Sequence, residues 1–347
     1  MTIDINQSET KKGIITLYKI TNQQGAFVVL SSLGAGIISI NIPDKYGNID
    51  EVVFGYEELS NYIDDGHCAG KTVGRYANRI AKGHLVINGD LYQLNCNCGG
   101  NSLHGGPQGF QNQIWDSEVI GDKIVFRYIS EDGEENFPGK VVVEVEYQWS
   151  DDNELTINFS GNSDSDTVLN LTNHTYFNLK GCGDVLSHSL EMNCSRYLPT
   201  DETLIPTGEY KWVNETPMDF TNEKEIGKDI NADFEPLIIG KGYDHCWLVD
   251  GFEDKKLKKV AILREYVSGR ELHISSTMPG VQVYTGNWLK DSANDRDGNK
   301  HFDYCAVAIE CQGLPDAPNK PNFPSQFLRK GENYKESIIY TFKNINK

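Results

Sequence analysis

Residues 84–94 read HLVINGDLYQL. Asn88-Gly89 falls between two alternating runs, and Asn-Gly is the pair that best tolerates the positive φ required at both central residues of a type I′ hairpin. The stretch therefore predicts two antiparallel strands joined by a two-residue turn. Outward in both directions the chain repeats the theme with short strand-like runs: GIITLYKI (13–20), AFVVL (26–30), IISINI (37–42) before the DKYGN turn, and EVVFGY (51–56). KIVFRYI (123–129), KVVVEVEYQW (140–149), ELTINFS (154–160), GVQVYTG (280–286), YCAVAIE (304–310) and SIIYTF (337–342) follow. Only YEELSNYI (56–63) reads as a short helix. Without regular strand–helix alternation, a doubly wound or barrel α/β fold is disfavoured and a large, all-β antiparallel sandwich is expected. No Pro- or Ser-rich linker and no fixed-period repeat interrupts residues 1–347, so one domain is the simpler reading.

Composition narrows the function classes. Fifty acidic against 32 basic residues give a formal charge of -18, which disfavours nucleic acid or an anionic membrane surface as a partner. The N-terminal MTIDINQSETKKG has no apolar leader and no later run is long enough to span a bilayer, so a cytoplasmic protein with reduced thiols is expected despite its 8 cysteines. Cys96 and Cys98 near His104 form a C-x-C pair, but no second pair at zinc-ribbon spacing follows.

Several apparent motifs fail on inspection. DGHCAGKT (65–72) ends like a phosphate-binding loop, yet Asp65 stands where the first glycine belongs and no strand–helix context surrounds it. Gly34-Ala35-Gly36 is half a dinucleotide fingerprint and reads better as a turn or bulge. The sequons at Asn170 and Asn173 lie inside a strand-like run where a glycan has no room.

That run, LNLTNHTYFNL (169–179), carries more information. At strand period Leu169, Leu171, Asn173, Thr175, Phe177 and Leu179 share one face, leaving Asn170, Thr172, His174, Tyr176 and Asn178 on the other. A half-exposed strand would satisfy the pattern. A cleft lined by His174, Tyr176 and Asn178 would satisfy it too, and explains the scarcity of Lys and Glu. In YCAVAIE, Tyr304, Ala306, Ala308 and Glu310 share a face where the alanines leave space beneath the carboxyl. A carboxylate ending an apolar strand is costly unless paired or functional, and its pKa tends to rise toward the range of a general base. A structural salt bridge is the alternative.

GRYANRIAKG (74–83) offers Asn78 and Arg79 in a Gly-bounded segment, either a surface loop or a planar donor fork for hydroxyls or a carboxylate. NSLHGG (101–106) flanks His104 with glycines that would let a ligand approach the backbone. GYDHCW supplies Asp244, and GVQVYTG places Gln282 and Tyr284 on one face.

These six ordered segments, with AIECQGLPDAPNKPNFP (308–324) as the last, resemble the aldose 1-epimerase, or galactose mutarotase, family across nearly the whole chain. The resemblance implies a β-sandwich of the mutarotase type, no cofactor and no metal, and interconversion of the α and β anomers of free aldohexoses such as galactose and glucose. It makes Glu310 the general base and His174 the general acid, with His104 stabilising charge at the ring oxygen. Asn78, Arg79, His104, Tyr176, Asp244 and Gln282 match substrate-binding positions. Cys311 and Gly313 depart from the Thr and His that many relatives carry beside the glutamate. Ring opening and closure needs two proton transfers and no nucleophile or redox step, which suits one carboxylate and one imidazole. Two other classes use the same residues: a non-catalytic sugar-binding sandwich, and a metal enzyme with His104, His174 and Glu310 as a 2-His-1-carboxylate triad. A glycosidase would have to pair Asp244 with Glu310.

Overall fold

Alternating β-branched and polar residues form strands wherever one face can be buried, and the computed structural model places them in antiparallel sheets throughout. It describes residues 1–63 and 65–345, so Asp64 and the last two residues of the expected 1–347 domain lie outside the described residues. A nine-stranded sheet runs in the order Asp116–Ile120, Lys123–Ser130, Val141–Trp149, Glu154–Ser163, Asn333–Asn344, Arg270–Ser276, Lys258–Glu265, Ser189–Met192, Lys224–Glu225. A six-stranded sheet runs Tyr176–Phe177, Val307–Gln312, Gly280–Tyr284, Asp244–Leu248, Arg196–Tyr197, Lys211–Trp212. A five-stranded sheet takes the first five strands, Thr2–Thr10 to Ile49–Glu51, in sequence order.

The two larger sheets face each other across the main core. Val281, Val283, Val307, Ile309 and Cys311 of the six-stranded sheet join Tyr147, Ile157, Leu272, Ile274, Tyr340 and Phe342 of the nine-stranded sheet in one buried apolar cluster. Strand alternation then sends Glu310, Gln282, Tyr284 and Asp244 to the opposite face of the six-stranded sheet. This half-in, half-out pleat positions the site.

The hairpin read from Asn88-Gly89 forms between His84–Ile87 and Asp90–Gln93, with both turn residues at positive φ (54° and 94°). Other expectations need correction. YEELSNYI yields only one 3-10 turn, Leu59–Tyr62, with Glu58 and Ile63 on either side in extended conformation. The α-helix among the described residues is instead Glu235–Gly240, a six-residue EPLIIG turn with proline in its first turn. LNLTNHTYFNL is not one strand: Thr172–Asn173 pairs with Thr72–Val73, whereas Tyr176–Phe177 pairs with Val307 and Ala308. Both of its faces are buried. Tyr304 lies outside the strand that carries Glu310, which begins at Val307, and bends away at φ 66°. Asn170 and Asn173 are fully buried, as the dismissal of their sequons requires.

Candidate active site

Glu310 and Gln282 are directly opposed across the central strand pair, and Asp244 opposes Tyr284 on the next. All four side chains therefore enter one cleft. Asp244 accepts from Gln282 Nε2 at 2.6 Å and faces Arg79 Nη2 at 3.8 Å, both side chains of the ion pair being about one-tenth exposed. Arg79 is delivered by a tight turn in which Asn78 adopts φ 65° and its Oδ1 accepts the Arg79 N–H at 2.8 Å. The adjacent two-residue bridge from Arg79 to Leu103 brings in His104. Its Nδ1 accepts the Asn78 N–H at 3.2 Å, so in the neutral ring Nε2 carries the hydrogen.

His174 arrives from the broken strand. Its backbone is bound to the Gly70–Lys71 turn, by N–H to Lys71 O at 2.8 Å and by C=O from the Gly70 N–H at 3.0 Å. Its Nε2 lies 3.4 Å from Glu310 Oε1, and its ring centroid lies 5.2 Å from that of His104 and 4.8 Å from that of Tyr176. Tyr176 donates its hydroxyl to His67 O at 2.9 Å. The cleft between them is a cavity of about 150 Å³, lined also by His67, Cys68, Leu103, Tyr284 and Trp288. His174 Nδ1, Glu310 Oε2 and Arg79 Nε are buried there with no protein partner. Polar atoms so placed are costly unless a ligand uses them.

Burial sets the protonation of the pair. It drives the Glu310 carboxyl well above its ordinary value; Asp244 adds to the rise and Arg79 opposes it. His174 is pushed down to about 4, chiefly by desolvation, while its own backbone hydrogen bond and the charges of Asp65 and Asp244 resist. His104 is driven well below the usual imidazole value by burial, His174 and Arg79. The low-dielectric cleft thus favours one proton held between Glu310 and His174, with Glu310 the preferred holder when the cleft is empty.

The structure brings together every candidate residue named from the sequence: Asn78, Arg79, His104, His174, Tyr176, Asp244, Gln282 and Glu310. Asn178 is the exception among the residues first read as cleft-lining. Its amide donates to the carbonyls of Gly183 and Cys305, and it lines a separate 410 Å³ cavity. Lys71 and Arg75, close to Arg79 in sequence, are buried and committed elsewhere, Lys71 to Tyr62 O and Arg75 to carbonyls of Ser130, Glu131 and Pro138. His67, Cys68, Leu103 and Trp288 were not singled out. The first two lie in DGHCAGKT, weighed only as a nucleotide loop, and nothing in an isolated Trp says that it will sit at a cleft mouth, stacked on Tyr284 at 6.1 Å. A larger cavity of 660 Å³ beside Met278, Gln326 and Tyr334 has no histidine among the described residues that line it, and its Lys255 and Glu336 are ion-paired to each other at 2.6 Å.

One ligand-capable atom each from His104, His174 and Glu310 lie within 4.8 Å of one another, among the described residues the one such group of three His, Cys, Asp or Glu side chains. Cys96 and Cys98 do not join His104 in it.

A β-sandwich with an imidazole–carboxyl pair at the floor of a small cleft, ringed by amides, an arginine and aromatic rings, defines an acid–base site for a small polyhydroxylated ligand. Comparison with known proteins narrows the class. The aldose 1-epimerase family model matches residues 16–341, and the chain belongs to that family. It is 38% identical to the galactose mutarotase of Homo sapiens over 317 residues, covering 91% of this chain and 90% of the relative. It is 36% identical to the aldose 1-epimerase of Escherichia coli (strain K12) over 330 residues, 94% of each. Among solved structures, an aldose epimerase homologue from C. elegans superposes with a TM-score of 0.87 at 31% identity, covering 94% of this chain and 98% of the other. A galactose 1-epimerase from Lactobacillus acidophilus at 24% identity and TM-score 0.86 shares the fold over 99% of this chain.

Proposed function

We propose that the chain interconverts the α and β anomers of free aldohexoses, galactose and glucose among them, with Glu310 and His174 moving the two protons. The observation that carries this assignment is the 3.4 Å approach of His174 Nε2 to Glu310 Oε1 in a cleft where each group keeps one buried atom unpartnered. In the reactive form the carboxylate takes the proton of the anomeric hydroxyl as the bond from C1 to the ring oxygen breaks, and the imidazolium protonates the ring oxygen. Rotation about C1–C2 presents the other face of the aldehyde, and closure reverses both transfers. That form lies one proton transfer away from the resting pair, and Arg79 together with the sugar's hydroxyls favours the ionised carboxylate over the acid. His104, 5.2 Å from His174 between ring centroids, supplies an Nε2–H for charge growing on the ring oxygen. Asn78, Arg79, Tyr176, Asp244 and Gln282 orient the hydroxyls.

The same reading takes residues 1–347 as one sandwich domain, since a single apolar cluster draws on residues from Tyr18 to Phe342. No helix among the described residues is long and apolar enough to cross a membrane, and a small sugar acted on in the cytoplasm fits the charge of -18 better than nucleic acid does. The test is polarimetry of freshly dissolved α-D-galactose with and without protein: faster decay of rotation is expected, and an unchanged spontaneous rate refutes the assignment. The proximity of His104, His174 and Glu310 is the observation that favours the metal reading, and the same assay with a chelator separates the two.

A further inference from the structure

The backbone ladder between the strand of Tyr176 and the strand of Glu310 stops after two pairs, Phe177 with Val307 and Tyr176 with Ala308. Continued in register it would set His174 opposite Glu310, position 172 opposite 312 and position 170 opposite 314. The backbone of 170–174 turns its hydrogen bonds the other way: Thr172–Asn173 pairs with Thr72–Val73, Asn170 N–H donates to Arg75 O at 2.9 Å, and His174 is held by the Gly70–Lys71 turn. On the Glu310 side the connection is made by side chains. Thr172 Oγ1 donates to Cys311 O at 2.6 Å. Asn170 Oδ1 accepts the Gly313 N–H at 2.8 Å, and its Nδ2 reaches Gly313 O at 3.5 Å and Ala77 O at 3.2 Å. Both side chains are fully buried.

We propose that Thr172 and Asn170 are positioning residues that replace the missing ladder and set the separation of His174 from Glu310. Rungs of an ordinary antiparallel pair would fix opposed positions such as 174 and 310 at one separation, Cβ to Cβ about 4.5 to 5.5 Å. Without those rungs, the Thr172 and Asn170 side chains are the groups that tie the two segments together just beyond the reacting pair. Each hydroxyl or amide fixes one of the three residues that follow the carboxylate, so slack there passes directly to Glu310. The alternating polar face of LNLTNHTYFNL is thereby divided: His174 and Tyr176 serve the cleft, Asn170 and Thr172 serve the spacing.

The inference rests on the assignment of Glu310 and His174 as the proton-transfer pair, so Glu310→Gln is measured beside it. Thr172→Val keeps shape and removes the donor; Thr172→Ala removes both; Thr172→Ser restores the donor. Initial rates of galactose mutarotation, per folded protein by near-ultraviolet circular dichroism, are expected to show kcat lowered about tenfold or more for Val and Ala with KM within about twofold. Ser is expected to recover to within about twofold of wild type. A kcat within twofold of wild type for Val or Ala, a loss carried by KM instead, or a Ser variant no better than Ala overturns the proposal. Should Val and Ala both fail to fold, Asn170→Asp, which keeps the acceptor for Gly313 N–H and gives up both donations, is judged by the same kcat and KM criteria. Glu310→Gln at near wild-type rate overturns the underlying assignment; a slow Glu310→Gln beside a fast Thr172→Val overturns only the positioning role.

Discussion

Arg79 and Asp244 act on the Glu310 carboxyl with opposite sign, the cation lowering its pKa and the anion raising it. Glu310 is the preferred holder of the pair's one proton, so removing either charge should move the alkaline limb of the pH–rate profile, where that proton is lost, in opposite directions. Arg79→Met leaves Asp244 unopposed, so Glu310 holds its proton to higher pH and the limb moves up. Asp244→Asn removes the repelling charge, and the limb moves down. Stability follows separately. At 3.8 Å and an effective dielectric constant of about 20 the ion pair attracts by about 4 kcal/mol before desolvation is counted. Breaking a buried pair from one side costs about 3 to 5 kcal/mol, and with both side chains about one-tenth exposed the lower end, about 3 kcal/mol, is expected for Arg79→Met at neutral pH. Because the cost is an orphaned charge, adding Asp244→Asn to Arg79→Met should recover part of it. The assay is kcat/KM for galactose from pH 4 to 9 together with urea unfolding of both single variants and the double. Limbs that move in the same direction, or a double variant less stable than Arg79→Met alone, would refute the reasoning.

Other consequences follow from the same groups. His174, His188 and His245 are each pushed to about 4 by burial, against about 6.5 in the unfolded chain. The unfolded state binds the extra protons, so stability is full above about 6.5 and falls by about 3 kcal/mol per group as pH drops through about 4. His188→Gln, remote from the cleft, should reduce that acid loss in urea titrations at pH 4.5 without changing the mutarotation rate. Incubation with EDTA is expected to leave the rate unchanged; loss restored by one divalent metal would favour the His104, His174 and Glu310 triad as a metal site. Among the described residues Arg79 is the one Lys or Arg lining the cleft, so neutral aldohexoses should exceed their 6-phosphates in kcat/KM by at least about tenfold, or about 1.4 kcal/mol, in side-by-side NMR anomer exchange.

Period-2 patterning carried most of the fold because both large sheets bury one face and expose the other to solvent or cleft, as in KVVVEVEYQW, where Val141, Val143, Val145, Tyr147 and Trp149 are buried in alternation. The same logic placed His174 and Tyr176 in the cleft but misread residues 169–179 as one strand with Asn178 in the same cleft, because a segment buried on both sides has no polar-out face. Its three asparagines and Thr172 turn out to be spent on backbone groups of neighbouring segments, and Thr175 on the Asn173 side chain. Glu310 and Gln282 were each legible as lying on the face away from their strand's apolar residues, but alternation carries no register, and only the structure sets them opposite each other. Asn78 and His104 were picked out by their glycine-bounded segments but given roles only by resemblance, since both sit at positive φ in irregular turns that no periodicity reports. Lys71 and Arg75 ran against the expectation for charged residues because backbone carbonyls receive both, and the buried Asp65 carboxylate faces Lys71 at 3.8 Å.

The most direct test of the account is the rate of α-to-β exchange of galactose, measured by NMR saturation transfer, in Glu310→Gln and His174→Ala proteins shown to be folded. Removing the base or the acid should slow exchange by at least about 100-fold in each, with galactose still binding to the Glu310→Gln cleft. Exchange near the wild-type rate in either folded variant would contradict the claim that this pair moves the two protons.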